Sequence, residues 1–163
     1  INGAVTIGTM DGANIEIHER VGDENIFIFG LLAHEIDELN KNGYEASSHY
    51  NSNDRIKALI DALRSGIAGV NYGEIADSLV VGNNGSADHY KVLEDYDSYS
   101  KAQDKLDKAY CDKERWARMS LMNTANSGFF SSDRSVEEYA TRIWNLTPVN
   151  MGASMMKGNK KNK

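Results

Sequence analysis

Residues 4–30 read AVTIGTMDGANIEIHERVGDENIFIFG, and the order of signals inside this stretch decides the fold class. Val5 and Ile7 are β-branched and lie between Gly3 and Gly8, which marks residues 4–9 as a short buried strand. The polar turn MDGAN follows, then a short helix over about 14–21, then a second strand, NIFIFG, that ends in Gly30. Strand, turn, helix, strand predicts a parallel α/β unit rather than a meander. Two or three parallel strands followed mostly by helices is the expected architecture.

Helical spacing takes over after residue 33. HEIDELNKNG predicts a helix that stops at Gly43, with Ile36 and Leu39 on its inner side. Asp54 is the expected cap of a helix carrying Ile56, Leu59, Ile60 and Leu63 at i, i+3, i+4, i+7 and closed by Gly66. The stretch 66–90 reads as loop around a short helix at 74–81, and Tyr90, Val92 and Leu93 suggest one more extended segment. A helix from Asp95 to Tyr110 would align Tyr96, Tyr99, Leu106 and Tyr110. On its other side Asp97–Lys101 and Asp104–Lys108 form i,i+4 pairs. Trp116, Met119 and Met122 mark the next helix, closed by Gly128. Ser135 and Glu138 form a capping box for a last helix with Val136, Tyr139, Ala140, Ile143 and Trp144 inward and Pro148 as its stop.

Composition narrows the function classes. The 163 residues are 40% hydrophobic and 26% charged, with a net charge of -6. Lys157, Lys160, Lys161 and Lys163 concentrate positive charge in the last residues, so the rest of the chain carries 14 basic against 24 acidic groups. Such an acidic body argues against nucleic acid as a partner, and residues 150–163 read as a disordered basic tail. No apolar run approaches the ~20 residues that span a bilayer. A lone cysteine, Cys111, with no signal-peptide pattern, points to a reducing, cytoplasmic setting.

Catalytic signatures are mostly missing. Gly3, Gly8 and Gly12 do not make G-x-G-x-x-G, and there is no G-x-x-x-x-G-K-[ST]. HEIDE lacks the second histidine of a zinc helix, and no other His or Cys has metal-ligand spacing, so no metal site is expected. Ser86, Asp88 and His89 are neighbours in sequence without the G-x-S-x-G context of a nucleophile. The turn at 9–14 remains. It joins the carboxyl end of a strand to the start of a helix, where α/β sheets place ligands. Thr9, Asp11 and Asn14 either face a cleft there or serve as turn and helix-cap residues.

Several ordered blocks carry a resemblance. NGAVTIGTMDGANIE, GDENIFIFG, NGYEA, DHYKVLEDYDSYSKAQDKLDKAY and SGFFSSDRSVEEYATRIWN resemble the carboxyl-terminal end of the α-glucan phosphorylases, from residue 1 to about 149. The resemblance implies the last part of a GT-B enzyme, in which two Rossmann-like domains face a crevice. It implies phosphorolysis of terminal α-1,4-linked glucose by inorganic phosphate to α-glucose 1-phosphate, with retention. It also implies pyridoxal phosphate as cofactor, held by a lysine just upstream of Asn2-Gly3-Ala4, and a homodimer.

No lysine precedes Lys41 in this chain. The expectation is therefore a piece of a longer protein, inactive by itself, with no catalytic or cofactor-binding residue of its own. Thr9, Asp11, Gly12, Asn14 and Glu16 match the block after the cofactor lysine and are expected to support the active site from beneath or beside it. The last helix packs on the other domain in the family, so Val136, Tyr139 and Trp144 would be partly uncovered here. Two alternatives stay open: a binding module that kept the fold and lost the chemistry, and a related nucleotide-sugar glycosyltransferase.

Overall fold

The computed structural model describes residues 3–82 and 86–147. The predicted α/β start is present. Strand β1, Ile7–Thr9, is followed by helix α1, Gly12–Val21, and by strand β2, Phe27–Phe29. The strands pair in parallel, Ile7 with Phe27 and Thr9 with Phe29. Phe27 N–H donates to the Thr6 carbonyl at 2.9 Å, extending the ladder by one bond. β1 is shorter than residues 4–9 and half-buried rather than buried, and among the described residues β2 alone pairs with it.

The helices are α2, Ala33–Asn42, α3, Ala46–Ser52, α4, Asp54–Ser65, α5, Gly73–Val80, α6, Val92–Cys111, and α7, Lys113–Ala125. They belong to the first of two units into which the chain divides, Ile1–Asn126 and Ser127–Lys163. Within the first unit one core gathers Ala46, Ile56, Ile60, Ala76 and Leu93, with Tyr44 and Tyr96 against it. A second core joins Phe27 of β2 to Ala109 and Met119, with Ile7, Leu106 and Trp116 around them. Tyr96 and Leu106 of α6 thus serve different cores, which is how one 20-residue helix holds the sheet and the helical layer together.

Several sequence expectations need correction. Asn53, not Asp54, caps α4: its side chain accepts from Arg55 N–H and Ile56 N–H at 3.0 and 3.3 Å. Leu59 is exposed, whereas Ile56 and Ile60 of the same helix are buried in a core with Ala46 of α3 and Ala76 of α5. The polar sequence ASSHYNS forms α3, which carries no apolar period to announce it. Tyr90, Val92 and Leu93 are not extended. α6 begins at Val92, because the buried Asp88 carboxylate accepts from Val92 N–H at 2.7 Å and Leu93 N–H at 2.8 Å.

On α6 the tyrosines do not line up in a core, for Tyr99 and Tyr110 are exposed. Among the described residues no ion pair joins Asp97 to Lys101 or Asp104 to Lys108. α7 ends at Ala125, ahead of Gly128, where Asn126 N–H caps on the Met122 carbonyl. Met119 is buried in that helix whereas Met122 is exposed.

The second unit, described by itself, is a 3-10 turn at Ser127–Phe130, helix α8 at Ser132–Glu138 and a π turn at Tyr139–Ile143. Ser131 rather than Ser135 is the cap, accepting from Arg134 N–H at 3.3 Å. The apolar positions of this segment are uncovered: Val136, Tyr139, Ile143 and Trp144 are all exposed. Pro148 and the tail at 150–163 lie outside the described residues.

Candidate functional site

The turn from Thr9 to Asn14 is built around one side chain. Asn14 Nδ2 donates to the Thr9 carbonyl at 2.9 Å, and Asn14 N–H donates to the Asp11 carbonyl at 3.0 Å. Asp11 N–H closes the tight bend onto the same Thr9 carbonyl at 2.9 Å. The last carbonyl of β1 therefore has two donors and cannot pair with a further strand residue. Gly8 is what lets Asn14 lie there: a Cβ on Gly8 would sit 2.5 Å from Asn14 Nδ2. Sequence spacing alone gives no sign of that contact.

The five candidate residues fall into two groups. Thr9, Asp11 and Asn14 are brought together by the hydrogen bonds just described. Gly12 opens α1 with a φ of 47° and nothing within 4 Å of a Cβ placed on it. Asp11 occupies the cap position of α1, yet its side chain caps nothing, and Glu16 lies exposed on the helix. Asp11 and Glu16 are exposed and make no side-chain hydrogen bond or ion pair among the described residues, and Asp11 and Gly12 follow the carboxyl end of a parallel strand, the side of an α/β sheet where ligands bind. Met10 of this turn lines a cavity of about 510 Å³, but none of the five does.

The rejected candidates are separated. His89 stacks edge-on against Tyr90 with ring centroids 5.0 Å apart, both exposed, while Asp88 is 2% exposed. Asp88 accepts from Tyr44 Oη at 2.6 Å. Burial, reinforced by this hydrogen bond and by the Asp88 charge, pushes the Tyr44 phenol far above its ordinary value. Lys91 is also buried, with Nζ 4.5 Å from the centre of the Tyr44 ring. This Tyr44–Asp88–Lys91 group was not legible as a unit, because 44 residues separate its halves. Among the described residues no three His, Cys, Asp or Glu side chains cluster to hold a metal ion.

A sequence model of the carbohydrate phosphorylases matches residues 1–146. The chain belongs to that family. Among curated relatives it is 44% identical to a glycogen phosphorylase of Synechocystis sp. over 91% of its length. It is 41% identical to the liver form of human glycogen phosphorylase over 95% of its length, and 46% identical to the L-1 α-1,4-glucan phosphorylase of Solanum tuberosum over 91%. The chain spans only 17%, 18% and 15% of those three proteins.

Membership of the phosphorylase family raises the question of its cofactor. Pyridoxal phosphate needs an amine for its aldehyde and cations or amide donors for its phosphate. The turn at 9–16 offers the carboxylates of Asp11 and Glu16, and no lysine stands before Lys41. By themselves these residues do not fit the cofactor. No helix among the described residues is long and apolar enough to cross a membrane.

Proposed function

We propose that residues 1–149 form the carboxyl-terminal part of the second Rossmann-like domain of a GT-B α-1,4-glucan phosphorylase. The whole enzyme transfers terminal α-1,4-linked glucose to inorganic phosphate with retention, uses pyridoxal phosphate, works in the cytoplasm and assembles as a homodimer. The observation that carries this reading is the identity of 41–46% maintained over nine-tenths or more of the chain.

In this role the chain's residues position rather than react. Asn14 ties the end of β1 to the start of α1, so Thr9, Asp11 and Gly12 present a fixed edge to whatever binds above the strand. Rigid support of this kind matters because a displacement of about 1 Å at a reacting centre can cost about 100-fold in rate. The reacting groups and the cofactor lysine belong to other parts of the enzyme.

Two proteins test the proposal. The 163-residue chain, given pyridoxal phosphate, glycogen and inorganic phosphate, should release no glucose 1-phosphate. A chimera in which residues 1–147 replace the matching segment of the Synechocystis phosphorylase should release it. A folded, cofactor-loaded chimera without phosphorolysis would overturn the assignment, and turnover by the chain alone would overturn the positioning role.

A further inference from the structure

The cavity that Met10 lines runs along β2 and reaches the corner between α6 and α7, wholly within the first unit. Its floor is apolar, since Ile26, Phe27 and Ala102 line it and each is buried. Its rim is cationic: Lys105 and Lys108 project from α6 and Arg115 from α7. We infer that this groove binds a small amphiphilic anion, a phosphate or sulfate carried on a flat apolar body. The inference stands independently of the proposed phosphorolytic activity.

Three observations support it. First, none of the three cations is in an ion pair within the described residues, although acidic groups outnumber basic ones in the chain by 24 to 18. Lys108 has Asp104 one helical turn behind it and still lines the groove without pairing to it. Lys105 has Lys101 in the equivalent place. Second, the three cations outnumber the two carboxylates of the lining, Asp23 and Glu24, and the Asp23 carboxylate is hydrogen-bonded to His18 Nε2.

Third, the size fits an organic ligand better than a bare anion. About 510 Å³ lies inside the range of roughly 300–1,000 Å³ typical of small-molecule sites. Lysine stems often only cover apolar surface. Here, however, cations from two different helices border one apolar floor, an arrangement that pairs charge recognition with apolar burial.

The test uses the full 163-residue chain and 1-naphthyl phosphate as probe, by titration calorimetry. Inorganic phosphate supplies the charge alone and 1-naphthol the ring alone. Saturable 1:1 binding of naphthyl phosphate is expected, weakening as salt rises, with each partial probe at least about tenfold weaker because it lacks one half of the recognition. The double variant Lys105→Met/Lys108→Met keeps the apolar stems and should lose about tenfold or more in affinity. Lys108→Arg should retain it, as should Lys101→Met, which changes a lysine of the same helix outside this groove. Circular dichroism confirms that each variant folds. Absence of saturable binding, equal affinity for inorganic phosphate, or indifference to the Lys105/Lys108 change would each overturn the inference.

Discussion

Replacing Asp88 by alanine removes the acceptor for three donors at once, and the size of the loss can be worked out from where those donors sit. Leu93 N–H lies at 2.8 Å in a buried setting, Tyr44 Oη at 2.6 Å is partly buried, and Val92 N–H at 2.7 Å opens toward solvent. Leu93 N–H and Tyr44 Oη left without a partner each cost about 1–3 kcal/mol, Tyr44 toward the lower end because it is only partly buried. Loss of the helix cap for Val92, which water can partly replace, adds roughly 0.5–2 kcal/mol. The sum, about 2.5–8 kcal/mol, is a large share of the roughly 5–15 kcal/mol that holds an ordinary domain together. Asp88 also has a φ of 46°, a conformation that alanine tolerates less well than aspartate. Tyr44→Phe removes a single bond from the same group and should cost only about 1 kcal/mol. Urea unfolding followed at 222 nm measures both. Unfolding of Asp88→Ala within about 1 kcal/mol of the parent chain, or equal costs for the two variants, would refute this role of Asp88.

Burial raises the Asp95 carboxyl above its ordinary value, an effect that the hydrogen bond from Leu31 N–H only partly offsets. The folded chain therefore binds that proton more tightly than the unfolded chain. Asp95 must lose stability relative to Asp95→Asn as pH climbs above the ordinary aspartate value of about 3.9. Melts of both proteins from pH 4 to 7 should show the Asn variant gaining on the parent, since Asn keeps an acceptor for Leu31; parallel curves would contradict this. Gly8→Ala and Asn14→Ala should each cost about 1 kcal/mol through the same lost bond to Thr9. Their double variant should then cost less than the sum by 0.5 kcal/mol or more, whereas strict additivity would mean that Gly8 does not gate Asn14.

The elements that could be read in the sequence are those whose burial leaves a period. β1, α1, β2, α2, α4 and α5 follow from spacing and from glycine stops, and the parallel pairing follows from the helix between two strands. What stayed hidden depends on distant partners. α3 is helical although polar, with Ala46 alone of its residues fully buried. The start of α6 depends on Asp88 and, through it, on Tyr44. The last helix shows the opposite case, for its apolar period is plain in sequence but its face is uncovered in this chain. At the candidate site, spacing pointed to the right turn. It gave Asp11 and Asn14 interchangeable cap roles, whereas the structure assigns Asn14 to the carbonyl of Thr9 and leaves Asp11 free of any cap bond.

The positioning role of that turn is most directly tested by steady-state phosphorolysis of glycogen in the Synechocystis chimera, with and without Asn14→Ala. If Asn14 holds the strand end beneath the reacting groups, kcat should fall by about 10- to 100-fold while the KM for glycogen stays within about twofold. An unchanged kcat in a folded, cofactor-loaded variant would contradict the account.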